Sequence, residues 1–170
     1  MTHKTTIRIA DITYANKIAA LSINSWRKAY ANILPQKMLD DLSIETITSE
    51  WNERLTCKHS SVLVAELNDA VVGFVNFGDY REDYNNNIAE IYAIYTEHNH
   101  WAAGIGTSLL SQAISHISNL DFRQVVLWVF VKNKIARSFY EKNGFYESNE
   151  TKQEARLDNL VQVKYIKSLL

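Results

Sequence analysis

Cysteine occurs once in the chain of 170 residues, at Cys57. One thiol excludes an internal disulfide and a cysteine-rich zinc site, and it fits a reducing compartment. CKHS lies between a helical pattern and a strand pattern, where a lone cysteine is more often inert packing than a nucleophile. Proline also occurs once, at Pro35, and there are only five glycines. No linker rich in Gly, Pro or Ser interrupts the chain, and neither repeats nor low-complexity tracts appear. Residues 1–170 are therefore expected to form one domain, long enough to bury a sizeable core. Charge of one sign is missing too: 18 Lys and Arg face 19 Asp and Glu, a net charge of −1. With its basic residues scattered, the chain lacks the footprint of a nucleic-acid binder. No apolar run is long enough to span a bilayer. MTHKTTIRIA lacks the apolar stretch of a signal peptide, so a cytoplasmic protein without a membrane partner is expected.

What is present is strong periodicity. TTIRIA (5–10) reads as a short strand, and Asp11 can cap the helix that follows. Ile12, Ala15, Ile18, Ala19, Ile23, Trp26 and Tyr30 then recur at helical spacing. Pro35 starts a second helical region over about 35–57, with Met38, Leu39, Leu42, Ile47, Trp51 and Leu55 as its apolar positions. SVLVAEL (61–67) and VVGFVNFGDY (71–80) are strands joined at the turn signal Asn68-Asp69, a hairpin. REDYNNN (81–87) is polar and reads as a loop. IAEIYAIYT (88–96) is a long, central strand. Ile105, Leu109, Ala113, Ile114 and Ile117 form a helix stripe, and QVVLWVFV (124–131) is a buried strand. Asn133 caps a helix carrying Ile135, Ala136, Phe139 and Tyr140, closed by Asn143-Gly144 with glycine just past the end. FYESN and LVQVKYIKS (160–168) finish as strands. The order β-α-α-β-β-β-α-β-α-β-β implies a mixed sheet covered on both faces. It is not the regular alternation of a dinucleotide-binding fold.

Two of the five glycines fall in HWAAGIGT, residues 100–107, between the central strand and a helix. The first turn of a helix leaves about four backbone N–H groups unpaired beside the positive end of its dipole. A phosphate fits there if side chains keep away. Ala102, Ala103, Gly104 and Gly106 provide that clearance, although a tight strand-to-helix turn also explains them. In NKIARSFYEKNGF (133–145), Tyr140 follows Asn133 by about two turns, on the same side and roughly 10 Å along the axis. An ordinary core tyrosine fits that position equally well. Each motif follows a strand of a neighbouring pair. If those strands are parallel, both helix starts meet at one end of the sheet, where open sheets bind ligands.

The sequence resembles the GNAT superfamily of N-acetyltransferases. That family's acyl-CoA loop, R/Q-x-x-G-x-G/A, appears here as W-A-A-G-I-G (101–106). Its later motif, N-x-x-A-x-x-F-Y-E-x-x-G-F, is matched at every fixed position by residues 133–145. The resemblance covers about 5–168 and extends to a polyamine acetyltransferase-like subgroup through WRKAYANILP (26–35). It implies an α/β (α+β) fold: a central mixed, mostly antiparallel sheet of about seven strands with a splayed parallel pair, flanked by about four helices. It implies acetyl-CoA as cosubstrate, no metal, and a possible homodimer. Carried over residue by residue, Ile94, Tyr95 and Thr96 would offer backbone bonds to pantetheine, with the Ile94 N–H polarising the acetyl carbonyl. Trp101, Ala102, Ala103, Gly104, Ile105, Gly106 and Thr107 would hold the pyrophosphate. Asn133 would contact the cofactor, and Tyr140 would protonate the departing thiolate. Trp101 departs from the usual Arg or Gln, and Ala102-Ala103 from the usual Gly and basic residue, which shifts the phosphate toward backbone N–H groups. Lys132, Lys134 or Arg137 would compensate, or are solvated helix charges.

The implied reaction moves an acetyl group to a primary amine by direct attack in a ternary complex. The amine must lose a proton first. The resemblance makes Glu90 the expected general base, since it precedes Gly104 by 104 − 90 = 14 residues, the place of the base in some family members; a carboxylate in IAEIYAI is costly unless solvated or partnered, and an edge-facing or salt-bridged structural role is the competing reading. Trp26, Tyr30 and Tyr80 are expected to contact the acceptor, although core packing explains Trp26 and Tyr30 equally well; Asp79, Glu82 and Asp83 are available to attract a cationic amine, or are ordinary loop charges. A polyamine or other small amine is the leading acceptor class. Protein N-termini or lysines, amino acids and antibiotics are alternatives, as is a CoA-binding module without turnover. His98 and His100 have no metal-like partners and read as surface residues.

Overall fold

The computed structural model describes residues 5–83 and 87–169. Among these are seven strands and five α-helices. Strand β1 (Thr6–Ile9) leads to a single 3-10 turn begun by Asp11, whose carboxylate accepts from the Thr13 N–H at 2.9 Å. Helix α1 (Ala15–Ala29) follows and buries Ala15, Ile18, Ala19, Ser22 and Ile23, one stripe at helical spacing. The region expected as one helix over 35–57 is two: α2 (Gln36–Asp40) directly after Pro35, and α3 (Ile44–Thr56). The break has a local cause. The Ser43 hydroxyl accepts from Thr46 N at 3.3 Å, a cap that starts a new helix, so five helices rather than about four flank the sheet.

Strands β2 (Ser60–Leu67) and β3 (Ala70–Asp79) form the expected hairpin. Asn68 and Asp69 both adopt positive φ, 51° and 63°, as a two-residue primed turn requires. Next come β4 (Ile88–Thr96), a 3-10 turn over His98–Ala103, α4 (Ile105–Ser118), β5 (Gln124–Phe130) and α5 (Lys134–Lys142). Gly144 closes α5 at φ +82°. Strand β6 (Tyr146–Gln153) runs further than FYESN suggests. Its sequence is polar throughout because it is an edge strand, paired only with β7 (Val161–Ser168).

The sheet order is β1-β2-β3-β4-β5-β7-β6, antiparallel everywhere except between β4 and β5. One face packs Leu63, Val75, Ile91, Leu127 and Val163 against Leu109, Ala113 and Ile117 of α4. The other packs Val64 and Phe74 against Ile18 of α1 and Trp51 of α3. A smaller cluster of Leu34, Leu39, Phe130 and Leu157 closes the end near α2. Ile135, expected in the apolar stripe of α5, is 69% exposed; Ala136, Phe139 and Tyr140 carry that contact instead.

One irregularity shapes the centre of the sheet. Opposite β3, Asn76 pairs with Ala93 and Phe77 with Ile91, so Tyr92 is an extra residue in β4. A bulge bends the strand that carries it. The parallel pairing of β4 with β5 ends at Glu90–Val126, immediately before this bulge. From Ile91 onward the two strands part, and the sheet is split at its middle.

Candidate active site

The split opens a cavity of about 1070 Å³ that runs from the starts of α4 and α5 to the face covered by α1 and α3. Antiparallel geometry decides which backbone groups of β4 face it. The Glu97 N–H donates to Val72 O, toward β3. Alternate residues point the same way, so Tyr95 is directed to β3, and Ile94 and Thr96 toward the gap. Of the three residues expected to offer backbone bonds, Tyr95 is thus already committed to the sheet. The Thr96 carbonyl is committed as well, because the Trp101 indole N–H donates to it at 3.1 Å. Ile94 retains both groups toward the gap.

At the far end of β4 the chain turns into α4. Gly104 sits at φ +74°, where glycine is the easy choice, and no atom lies within 4 Å of the place a Cβ would take. No side chain caps α4, unlike α3 and α5. The first four N–H groups of the helix therefore face open space. At Gly106 a Cβ would meet the Phe139 ring at 3.4 Å, an ordinary contact, so packing between α4 and α5 does not by itself demand glycine there. Trp101, two-fifths exposed, ties the turn to β4 and stacks edge-on with His98 at 4.4 Å between centroids. Gly104, Gly106, Thr107, Asn133 and Lys134 all line the cavity. This is a fit for a pyrophosphate and an extended arm: an open glycine, uncapped helix N–H groups, and a free strand edge leading inward.

The inner end is aromatic. The Tyr30 and Tyr95 hydroxyls are 2.9 Å apart. The Tyr30 ring meets Trp26 and Phe130 edge-on, each at 5.3 Å. Tyr140 comes from α5, held by Phe139, Phe145 and Tyr165. Its hydroxyl has no hydrogen-bond partner among the described residues. Burial, with Tyr30 nearby, pushes this phenol well above its ordinary 10.0. It is therefore a protonated acid at any physiological pH. Glu90, 1% exposed, is partnered: Arg81 donates to it from its backbone N–H at 3.2 Å, from Nε at 3.1 Å, and from Nη2. Those bonds hold the guanidinium still more firmly in its charged form.

Residues 23–145 match the model of the Acetyltransferase (GNAT) family. The chain belongs to that family. Membership makes it an N-acetyltransferase that draws its acyl group from acyl-CoA. It is 29% identical over 129 residues to the uncharacterized N-acetyltransferase YuaI of Bacillus subtilis (strain 168), covering 75% of this chain and 73% of that one. It is 29% identical over 147 residues to the probable N-acetyltransferase Rv2775 of Mycobacterium tuberculosis, covering 85% and 82%. Its fold is similar, at a TM-score of 0.78 and 20% identity, to a PaiA N-acetyltransferase from Thermoplasma acidophilum crystallised with coenzyme A, covering 97% and 99%.

Within this GNAT domain the expected site residues separate into groups. Glu90, Trp26, Tyr30, Ile94, Tyr95, Thr96, Trp101, Gly104, Gly106, Thr107, Asn133 and Tyr140 share the one cavity. Ile105 turns its side chain into the core, leaving only its N–H to the site. Ala103 is exposed beside it, and the Ala102 side chain lies outside the described residues. The Asn133 carbonyl oxygen caps α5 by accepting from Ala136 N at 3.1 Å. Tyr80 does not line the cavity; it is 5% exposed and donates to Glu82 at 2.8 Å. Arg137 is occupied by Glu147 and Tyr165. Residues 84–86 of the acidic loop lie outside the described residues. Among described residues no metal-binding cluster occurs, and no helix is long and apolar enough to cross a membrane. Sequence reasoning missed Arg81, read only as loop, and Trp128, Lys152 and Gln162, which also line the cavity.

Proposed function

We propose that the protein transfers an acetyl group from acetyl-CoA to the amine of a small molecule, by direct attack within a ternary complex. The observation that carries this reading is the conjunction in one cleft of a split strand pair, an uncapped glycine-led helix start and the unpartnered phenol of Tyr140. Acetyl-CoA, when bound, supplies the acyl group as a thioester. The N–H groups of residues 104–107 bind its phosphates, with Lys134 beside them. The Ile94 N–H faces the gap and is placed to stabilise developing charge on a carbonyl oxygen. Tyr140 Oη holds a proton that it can give to a leaving sulfur, and burial keeps that proton in place until it is needed.

Glu90 is proposed as the proton acceptor for the incoming ammonium. Arg81 already donates three bonds to this carboxylate, so the proton arrives through water rather than by displacement of the guanidinium. Trp26, Tyr30 and Tyr95 form the wall behind the reacting amine. The charge around the cleft gives a polyamine little purchase. Asp79 is bonded to His59, Glu82 to Lys152 and Tyr80, Glu50 to Arg54, and Asp41 to Lys37. A polycation would have to break these pairs.

The test is release of free CoA thiol from acetyl-CoA across a panel of amino acids, polyamines, aminoglycosides and basic peptides. Release that requires one class of small amine supports the reading. Release only with the peptides would replace the small-molecule acceptor by a protein one.

A further inference from the structure

Two buried polar atoms on residues that line the cavity have no hydrogen-bond partner among the described residues, and the acyl-donor site uses neither. Trp128 Nε1–H can only donate, whereas Gln162 Oε1 can only accept. Both atoms are buried without a hydrogen bond among the described residues, and both residues line the cavity. Gln162 is nine-tenths buried. Strand register brings them to one wall. Trp128 lies opposite Lys164, two residues along β7 from Gln162, and Gln162 lies opposite Lys152 of β6. Directly opposed residues share a face, as do residues two apart along one strand. The Lys152 ammonium accordingly stands 4.2 Å from the Trp128 ring centroid. Arg81 lines the same cavity, its side chain 53% exposed and stacked over Tyr92.

Buried polar groups in folded proteins are nearly always hydrogen-bonded, and an orphan donor beside an orphan acceptor in a cavity is a template for what enters. The indole N–H needs an acceptor atom, and Lys152 and Arg81, paired with Glu82 and Glu90, stand on the same cavity wall with N–H donors beyond those the pairs use. The amide oxygen needs an N–H. We infer that Trp128, Gln162, Lys152 and Arg81 recognise the acceptor, and that the acceptor is an amine bearing a carboxylate, an amino acid in chemical class. This rests on the acetyltransferase reading and names its substrate class. Trp128 donates to a carboxylate oxygen, the remaining N–H groups of Lys152 and Arg81 add donors to it, and Gln162 accepts from an N–H of the same molecule. A polyamine would satisfy Gln162 but leave the indole N–H unpaired. A monoamine with no anion would leave the same donor unpaired.

The experiment uses matched pairs: phenylalanine against phenethylamine, methionine against 3-(methylthio)propylamine, leucine against isoamylamine. The CoA-saturated protein is titrated with each while the indole N–H resonances of its four tryptophans are followed, Trp128 being assigned with Trp128→Phe. The kcat/KM of each compound is then measured. At least one amino acid should shift the Trp128 resonance saturably and exceed its carboxyl-free partner about tenfold or more in kcat/KM. Gln162→Met should lower kcat/KM for that amino acid about 10- to 100-fold, the range for stranding a buried partner, with the KM for acetyl-CoA unchanged. Carboxyl-free amines turning over as well as their partners, or a Trp128 resonance that no amino acid moves, would overturn the inference. Loss of acetyl-CoA binding by the wild type would overturn the acetyltransferase reading beneath it, a failure that titration with acetyl-CoA alone reveals separately.

Discussion

Tyr140 holds a hydroxyl that the fold leaves unpaired at the inner end of a cavity. A structural tyrosine would have found a partner for that oxygen, as Tyr30 and Tyr95 find each other. Tyr140→Phe should therefore leave the melting temperature unchanged, since no protein hydrogen bond is lost. It should lower kcat about 100- to 10,000-fold, the range for one general acid. Acetyl-CoA affinity, measured by calorimetry on the same variant, should persist. Unchanged turnover would remove Tyr140 from the chemistry. Glu90 is a different case, because its carboxylate is also structural. Glu90→Gln should lower turnover about 100-fold or more if Glu90 receives the amine's proton. A drop in melting temperature with full turnover would reduce it to an anchor for Arg81. The sequence made Glu90 visible, since an acid within IAEIYAI demands a partner. Arg81, the partner itself, sits nine positions away in a polar loop, and nothing in the chain's local pattern marks it.

At the scale of elements, what the sequence announced was local chemistry. Asn133, Asn68-Asp69 and Gly144 each act through groups within a few residues and appear where the pattern puts them, while Asp11 caps the 3-10 turn before α1 rather than α1 itself. The break at Ser43 was equally local but lay within one continuous helical stripe, so its cap was hidden by the periodicity around it. The Tyr92 bulge is a different matter. It depends on how β4 meets β3, a register that no residue in IAEIYAIYT specifies, yet it opens the cleft. Tyr95 shows the same limit: which residues of β4 turn their backbone to the gap follows from pairing, not from composition. The α5 start is a place to test element against site. Asn133→Ala removes the cap and should cost about 1 kcal/mol of stability, read as a lower denaturation midpoint. Because the α5 start also borders the cavity, acetyl-CoA affinity should weaken in the same variant. A loss of stability without weaker binding would confine Asn133 to capping.

For the whole molecule, buried phenols join the fold to pH. Burial raises Tyr30, Tyr95 and Tyr140 above their ordinary value of 10.0. Below that pH both folded and unfolded chains keep these protons, so the tyrosines add no pH dependence there. Above it the unfolded chain releases protons that the folded chain retains, and stability falls as pH rises. Alkaline titration should thus show tyrosinate absorbance from these residues appearing together with loss of folded circular dichroism. Tyrosinate formation complete before any unfolding would contradict their burial.

The whole account rests on one cleft, where the sheet splits and a bare helix begins. Calorimetric titration of the protein with acetyl-CoA, beside the same titration of Gly104→Val, tests it most directly. Saturable binding at one site per chain is expected, lost in a variant whose circular dichroism still shows a folded protein, because a branched side chain would fill the open ground above the α4 N–H groups. No binding by the wild type, or equal binding by the two proteins, would contradict it.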